Sequence, residues 1–176
     1  MNLVNYGITL KLLTEEKIEM IRQWRNDPKI KQYMEYREYI TSEMQRKWFA
    51  NLNNGKDNFY WIIEYQGEEI GLINLKDIDF VNKTAEPGIF IWDDGYIGTE
   101  VPLRATLTRN DFAWEVLHLE TLHCHILCDN KRAIKYNKAL GFKLLPDQEG
   151  IYNQAYLLKK EDALKFKDKY KRILIK

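Results

Sequence analysis

The chain has 176 residues, which suffices for one domain with a sizeable core, and 45% of them are hydrophobic. Its 27 lysines and arginines nearly balance its 26 aspartates and glutamates, so the formal net charge is only +1. A neutral chain lacks the basic field of nucleic-acid-binding proteins, and no apolar run approaches the ~18 residues that suggest a membrane span. We therefore expect one domain over residues 1–176 that binds neither nucleic acid nor membrane.

Helical and strand periodicities alternate along the chain. Thr14 begins a helix that the dipeptide Asp27-Pro28 ends, and Thr41 begins a second helix. The predicted strands are residues 7–13, 58–65, 68–78, 84–92, 122–128, a short one at 142 and 151–159. Further predicted helices cover residues 99–117, a segment after Asn130 and the region after Lys159. This order indicates a mixed α/β domain whose early strands are hairpin-connected and whose central strands flank a helical crossover.

Both cysteines, Cys124 and Cys128, lie in one predicted strand. Four residues along a strand span ~13 Å, which is beyond disulfide reach. Because the first 13 residues also lack the pattern of a secretory signal, we expect reduced thiols and a cytoplasmic protein. His123 and His125 share this strand, but alternation sends them to the face opposite the cysteines, so we expect no metal site.

The most informative segment runs from Asn130 to Phe142. Apolar residues recur in it at helical spacing, Asn130 is placed to cap the helix, and Gly141 lies where a helix end favours positive φ. The spacing from Asn130 to Ala133 and then to Gly141-Phe142 resembles the signature of the GCN5-related N-acetyltransferase (GNAT) family. The order and length of the other elements are also similar to this family. The resemblance implies a central mixed sheet of about seven strands flanked by helices.

In that family, acetyl-coenzyme A binds where two central strands splay apart. Here the resemblance places the splay between the strands at Ile89–Trp92 and Leu122–Cys128. The pyrophosphate would bind at the start of the long helix, where free N–H groups and the helix dipole favour anions. The residues predicted to bind the cofactor are Phe90, Ile91, Gly95, Tyr96, Ile97, Gly98, Thr99, Asn130 and Asn137. The alternatives are an ordinary strand-to-helix loop and, for Asn130, a plain helix cap.

The phosphate loop departs from the family pattern of Gln or Arg, two residues, Gly, one residue, then Gly or Ala. With Gly98 at the last position, Asp93 replaces the first residue and Tyr96 replaces the first glycine. Gly95 would then substitute for that glycine from one residue away. Asp93 and Asp94 also place negative charge near a phosphate, which is unfavourable unless they point away.

Acetyl transfer to an amine requires a base, a polarised thioester carbonyl and a stabilised thiolate. The N–H groups near Phe90 and Ile91 are candidates for polarising the carbonyl. In much of the family a Tyr seven residues after the Asn protonates the thiolate, but here that position is Asn137. Tyr136 lies one residue early, which is ~100° of helix rotation. The acid is therefore open between Tyr136 after a local adjustment and water, with Asn137 orienting the thioester.

Glu86 is the first candidate for the base, because it begins the central strand where related acetyltransferases often place a Glu that works through water. The alternative is an ordinary surface carboxylate. His125 is the second candidate, since its strand flanks the expected cofactor, although a histidine among apolar strand residues is more often packed than catalytic.

The segment Trp24–Pro28, with Tyr33-Met34, resembles the branch of ribosomal-protein N-terminal and nucleotide-amino-sugar N-acetyltransferases. In that branch the first two helices wall the acceptor site. The candidate acceptor-binding residues are Arg25 or Arg37 for a diphosphate, and Tyr33, Tyr36 and Tyr39 for stacking.

Three hypotheses follow for the function. The first is an N-acetyltransferase for a nucleotide-linked amino sugar, acting as a monomer or homodimer. The second is an acetyltransferase for protein N-termini or small amines. The third is a non-catalytic coenzyme A-binding or interaction module, which the departures at Asp93, Tyr96 and Asn137 keep open.

Overall fold

Alternating apolar residues build an eight-stranded sheet in this computed structural model, which describes residues 1–174. The strands are β1 (Leu3–Asn5), β2 (Ile8–Leu12), β3 (Phe59–Tyr65), β4 (Glu68–Asp79), β5 (Thr84–Ile91), β6 (Thr121–Leu127), β7 (Lys143–Leu144) and β8 (Asn153–Lys159). The helices are α1 (Ile18–Asn26), α2 (Pro28–Lys31), α3 (Ser42–Asn51), α4 (Val101–Asp111), α5 (Lys131–Ala139) and α6 (Lys160–Leu174). A π-helical turn, Phe112–Val116, continues α4.

The strands follow the order β1-β2-β3-β4-β5-β6-β8-β7, and every neighbouring pair except β5 and β6 is antiparallel. β5 and β6 are parallel and pair only through Thr84 with Thr121 and Ala85 with Leu122. Beyond these two pairs the strands diverge. The mixed sheet and the predicted splay are therefore confirmed.

Helices cover both faces of the sheet. The α4 face packs against α4, α5 and α6, and its buried cluster includes Ala105 of α4, Leu140 directly after α5 and Ala163 of α6. The α1 face packs against α1 and α3, with Trp24 buried and Trp48 at its margin. Successive residues of a strand point to opposite faces, so each residue of β5 belongs to one of these two layers.

The structure contains one strand more than the expected number. β1 pairs with β2 through a tight turn at Tyr6 and Gly7, whose φ values are +51° and +70°. A two-residue turn with both φ values positive is typical of hairpins, but its first position usually carries Asn, Asp or Gly. Because Tyr6 is not a typical turn residue, the sequence predicts the strand at residues 7–13 but not the hairpin or its first strand, β1.

Local capping explains where several helices begin. Thr41 accepts a hydrogen bond from the Met44 N–H at 3.2 Å, as expected for the start of α3. Asp27 ends α1 and also caps the short helix α2. In the part of the chain that the structure describes, no helix is both long enough and apolar enough to span a membrane.

Candidate active site

The splay exposes one backbone edge of β5. The Trp92 N–H donates to the Ile70 carbonyl, which fixes the alternation of hydrogen bonds along β4 and β5. In this register the Phe90 N–H is directed at Leu72 of β4, whereas the Ile89 and Ile91 N–H groups point into the splay. An extended amide chain entering the splay would thus meet donors at two alternate residues of β5.

A loop with unpaired N–H groups lies between β5 and α4. Gly98 has a φ of +83°, and a side chain there would meet open space. The N–H groups of Gly98, Glu100 and Leu103 donate to none of the described residues. Because these groups surround the start of an eleven-residue helix, the loop fits an anionic phosphate.

The acidic residues of this loop are held away from those N–H groups. The Asp93 carboxylate accepts a 2.8 Å hydrogen bond from the Gly95 N–H and so caps its own loop. Asp94 lies 3.3 Å from the Lys29 ammonium, which also donates to the Trp92 carbonyl. The loop therefore keeps its shape without the Gln or Arg of the family pattern.

Asn130 and Gly141 delimit α5 as the sequence predicts. The Asn130 side-chain oxygen accepts from the Ala133 N–H at 3.0 Å, and Gly141 adopts a φ of +99°. The side-chain nitrogen of Asn130 donates to none of the described residues, so it remains available to a ligand carbonyl.

Asn137 and Tyr136 point in different directions, as helix geometry requires. The Asn137 amide donates to the Ala133 carbonyl at 2.9 Å, which leaves its oxygen as an acceptor. The Tyr136 hydroxyl lies 2.7 Å from the Thr106 hydroxyl and donates to the Pro102 carbonyl at 3.1 Å. Burial raises the pKa of Tyr136 to about 12. Tyr136 thus joins α5 to the first turns of α4.

Glu86 lies on the α1 face, beside the expected path of an acceptor. Its carboxylate is 3.2 Å from the Lys76 ammonium on β4. Burial lowers the pKa of Lys76, but the charge of Glu86, the hydrogen bond to Glu86 and the charge of Asp77 together leave the pKa above its usual value. The second candidate base, His125, is exposed on β6. The structure thus places Glu86, and not His125, in an ion pair on the α1 face.

Arg25 is a residue of α1, and the Tyr60 ring of β3 is among its electrostatic neighbours. Its guanidinium forms no hydrogen bond or ion pair with any described residue, and its Nε atom is fully buried. Burial lowers the pKa of Arg25 and raises that of Tyr60. A partly buried cation without a partner favours the binding of an anion on this side of the sheet.

The tyrosines predicted to bind the acceptor lie on a segment between α2 and α3, residues 32–41. This segment reaches across to the α5 side of the splay. The Arg132 guanidinium lies 5.1 Å from the centre of the Tyr33 ring, and Arg37 donates to the Tyr152 hydroxyl at 3.0 Å. Tyr36 remains half exposed at the same segment. We call residues 32–41 the strap.

The cysteines and histidines of β6 form no common site. Cys124 is buried, Cys128 is partly buried, and both thiols are free. The burial pattern alternates along the strand, as predicted, with Cys124 facing the core and His125 facing solvent. Within residues 1–174, no group of three or more His, Cys, Asp or Glu side chains is arranged to hold a metal ion.

Residues 8–143 match the family described as the acetyltransferase (GNAT) domain. The chain belongs to this family. It is 28% identical over 143 residues to acetyltransferase PseH of Campylobacter jejuni, covering 80% of this chain and 85% of that protein. It is 25% identical to the spermidine N(1)-acetyltransferase of Escherichia coli K12, covering 79% and 74%.

Solved structures agree with this fold. The Vibrio cholerae spermidine N-acetyltransferase in complex with CoA and spermine superposes with a TM-score of 0.74 at 19% identity, over 91% of this chain and 99% of that chain. As a GNAT member the protein is an N-acetyltransferase that uses acetyl-coenzyme A. The splay and the unpaired N–H groups before α4 fit this co-substrate.

One charged residue near the GNAT splay was missed in the sequence. Arg109 on α4 is only 2% exposed and lies beneath β5, with its Nη1 atom 3.4 Å from the Gly88 carbonyl. The helical pattern of the sequence does not mark Arg109 as buried, because nearly all residues of α4 are buried and the helix has no polar face for comparison. Only the packing of α4 distinguishes Arg109 from an ordinary surface arginine.

Proposed function

We propose that this protein acetylates the amino group of a nucleotide-linked amino sugar. The observation that carries the proposal is Arg25, whose partly buried guanidinium has a buried Nε atom and no partner among the described residues. Lys76 and Glu86 on the same face neutralise each other, so Arg25 is left as the uncompensated charge. A nucleotide diphosphate supplies the missing anion in the bidentate geometry that arginine favours.

The neighbouring groups support the same orientation of substrate. The strap presents Tyr33 and Tyr36, whose exposed rings suit stacking on a sugar or base. With the diphosphate near Arg25, the amino group would approach β5 from the α1 face. There Glu86 removes the ammonium proton through a water molecule, and the Ile91 N–H polarises the thioester carbonyl in the splay. Asn130 and the loop before α4 hold the rest of acetyl-coenzyme A.

The test is a panel of acceptors assayed by release of the coenzyme A thiol. We expect a nucleotide-linked 4-amino deoxysugar to be acetylated with a higher kcat/KM than spermidine or a peptide N-terminus. Arg25→Gln should raise KM for the nucleotide sugar by about tenfold or more, as one charge-assisted contact of 1.5–3 kcal/mol predicts. The matched control is Arg46→Gln, because Arg46 is exposed on α3 and has no ion-pair partner among the described residues. Equal effects of the two substitutions would refute the role of Arg25.

A polyamine is the second candidate acceptor. The chain is similar to spermidine acetyltransferases, and the strap carries exposed Glu35 and Glu38, which would attract a cationic amine. The same panel separates the two candidates. If a polyamine is the acceptor, spermidine should have the highest kcat/KM of the panel with the wild-type enzyme. Its affinity should also rise in Arg25→Gln, because the substitution removes a like charge from the acceptor side.

A further inference from the structure

Arg109 is a fully buried cation, and it lies on the opposite side of the sheet from the partly buried Arg25. Its Nε and Nη2 atoms donate to the side-chain oxygen of its neighbour Asn110, at 3.2 and 2.8 Å. No carboxylate among the described residues forms an ion pair with it. The other charged residues of α4 are paired elsewhere, Arg104 with Glu100 and Asp111 with Lys167.

Arg109 contacts β5 close to the point where β5 and β6 separate. β5 and β6 separate after Ala85 and Leu122, and Arg109 approaches Gly88, three residues further along β5. Its other electrostatic neighbours are Cys124 on β6 and Tyr136 on α5. The guanidinium thus lies on the α4 face of the sheet, beneath the β4 side of Gly88 and close to where β5 and β6 begin to separate.

The surroundings leave this charge uncompensated. Burial lowers the pKa of Arg109 to about 10, so the guanidinium still carries its proton at neutral pH. Burial also raises the pKa of Cys124 and of Tyr136 to about 12, so both of these neighbours are neutral. A buried ion without a counter-ion costs several kcal/mol, and such a cost is typical of sites that are preorganised for charge developing in a reaction.

We propose that Arg109 stabilises the coenzyme A thiolate as it leaves during acetyl transfer. This inference rests on the proposed acetyltransferase reaction and supplies the group that Asn137, in place of the family tyrosine, cannot provide. The acceptor nitrogen forms a bond to the thioester carbonyl carbon, and its proton passes to the base. The carbon–sulfur bond then breaks with its electron pair on sulfur, and an Arg109 N–H donates a hydrogen bond to that sulfur.

No proton leaves Arg109 in this step. The thiolate takes its proton afterwards from water, so the products are the acetylated amine and coenzyme A. An arginine is suited to this role because it stabilises negative charge while it remains protonated. A free thiol has a pKa of about 8.5, and a nearby cation lowers it.

The decisive measurement is the pKa of the coenzyme A thiol while it is bound. Ultraviolet absorbance of the thiolate is followed against pH, and the spectrum of the ligand-free protein is subtracted. We expect the bound thiol of the wild-type complex to titrate below the free thiol. Arg109→Gln should raise this pKa by about one unit or more, which is a tenfold change in the ionisation constant. Arg109→Lys should retain part of the depression.

Arg104→Gln is the matched control, because Arg104 is also buried on α4 but already has Glu100 as its partner. It should leave the thiol pKa unchanged. If coenzyme A binds to Arg109→Gln and its thiol titrates as in the wild type, Arg109 is structural and the proposal is refuted. The acetyltransferase reaction itself would be unaffected by that result. A wild type that binds coenzyme A but acetylates no amine would instead refute the proposed function, since the titration needs no acceptor.

Discussion

Replacing Tyr136 by Phe separates a structural role from a catalytic one. The substitution removes the hydroxyl that lies 2.7 Å from Thr106 and 3.1 Å from the Pro102 carbonyl. An unsatisfied buried polar group costs about 1–3 kcal/mol, and the Thr106 hydroxyl loses its tyrosine partner. For a chain of this length each 1 kcal/mol lowers Tm by about 2–4 °C, so we expect a decrease of roughly 2–12 °C.

The catalytic rate should respond very differently. A general acid contributes about 10²–10⁴-fold, whereas a hydroxyl used in packing leaves kcat nearly unchanged. We expect Tyr136→Phe to lower kcat by less than about threefold while the protein is less stable. The assay combines thermal unfolding with steady-state kinetics at saturating acetyl-coenzyme A. A loss of about 100-fold in kcat at unchanged Tm would refute this reasoning and make Tyr136 the acid.

The pH dependence of unfolding gives an independent test of the same contact. Burial raises the pKa of Tyr136 from 10.0 to about 12, so the unfolded chain releases this proton at a lower pH than the folded chain. The stabilisation is therefore complete below pH 10 and is lost as pH rises toward 12. Tyr136→Phe has no tyrosine proton to lose at this position. The difference in free energy of unfolding between the variant and the wild type should therefore become smaller above pH 10.

Three other substitutions or labelling experiments probe the remaining parts of the site. Asn130→Ala should lower stability by about 1 kcal/mol and weaken coenzyme A binding. Asn130→Ser should keep the helix cap but not the affinity for coenzyme A. If calorimetry shows that Asn130→Ser has both wild-type stability and wild-type affinity, Asn130 does not contact the ligand. Gly88→Ala would place a Cβ 2.5 Å from the Asn74 side-chain oxygen, so we expect a loss of about 1–3 kcal/mol in urea unfolding that Asn74→Ala reverses. A thiol reagent at pH 8 should modify Cys128 well before Cys124, since burial raises the pKa of Cys124 to about 12; equal labelling rates by mass spectrometry would disprove its burial.

Local signals predicted the elements that frame the cofactor site. Thr41 and Asn130 cap their helices through the expected hydrogen bonds, and Gly141 adopts the expected positive φ. These features depend on neighbours within a few residues, so the sequence contains their whole cause. The splay between β5 and β6 was available only through the family resemblance, because no local pattern encodes where two parallel strands separate.

Features that depend on packing could not be predicted from the sequence. The fully buried α4 has no amphipathic face, so periodicity gave no sign that Arg109 is enclosed. The alternation of hydrogen bonds between β4 and β5 decides that Ile89 and Ile91, and not Phe90, present N–H groups to the splay. That alternation depends on strand register, which composition does not fix.

The two residue pairs between β5 and β6 make the sheet mechanically two ladders, one of five strands and one of three. Within the sheet, only this narrow seam transmits force from one ladder to the other. A ligand that paired with both edges would join the two ladders, and a ligand that binds only the folded state at 100 times its Kd adds about 2.7 kcal/mol to the free energy of unfolding. We therefore expect amide exchange in β6 and β8 to slow as acetyl-coenzyme A saturates the protein.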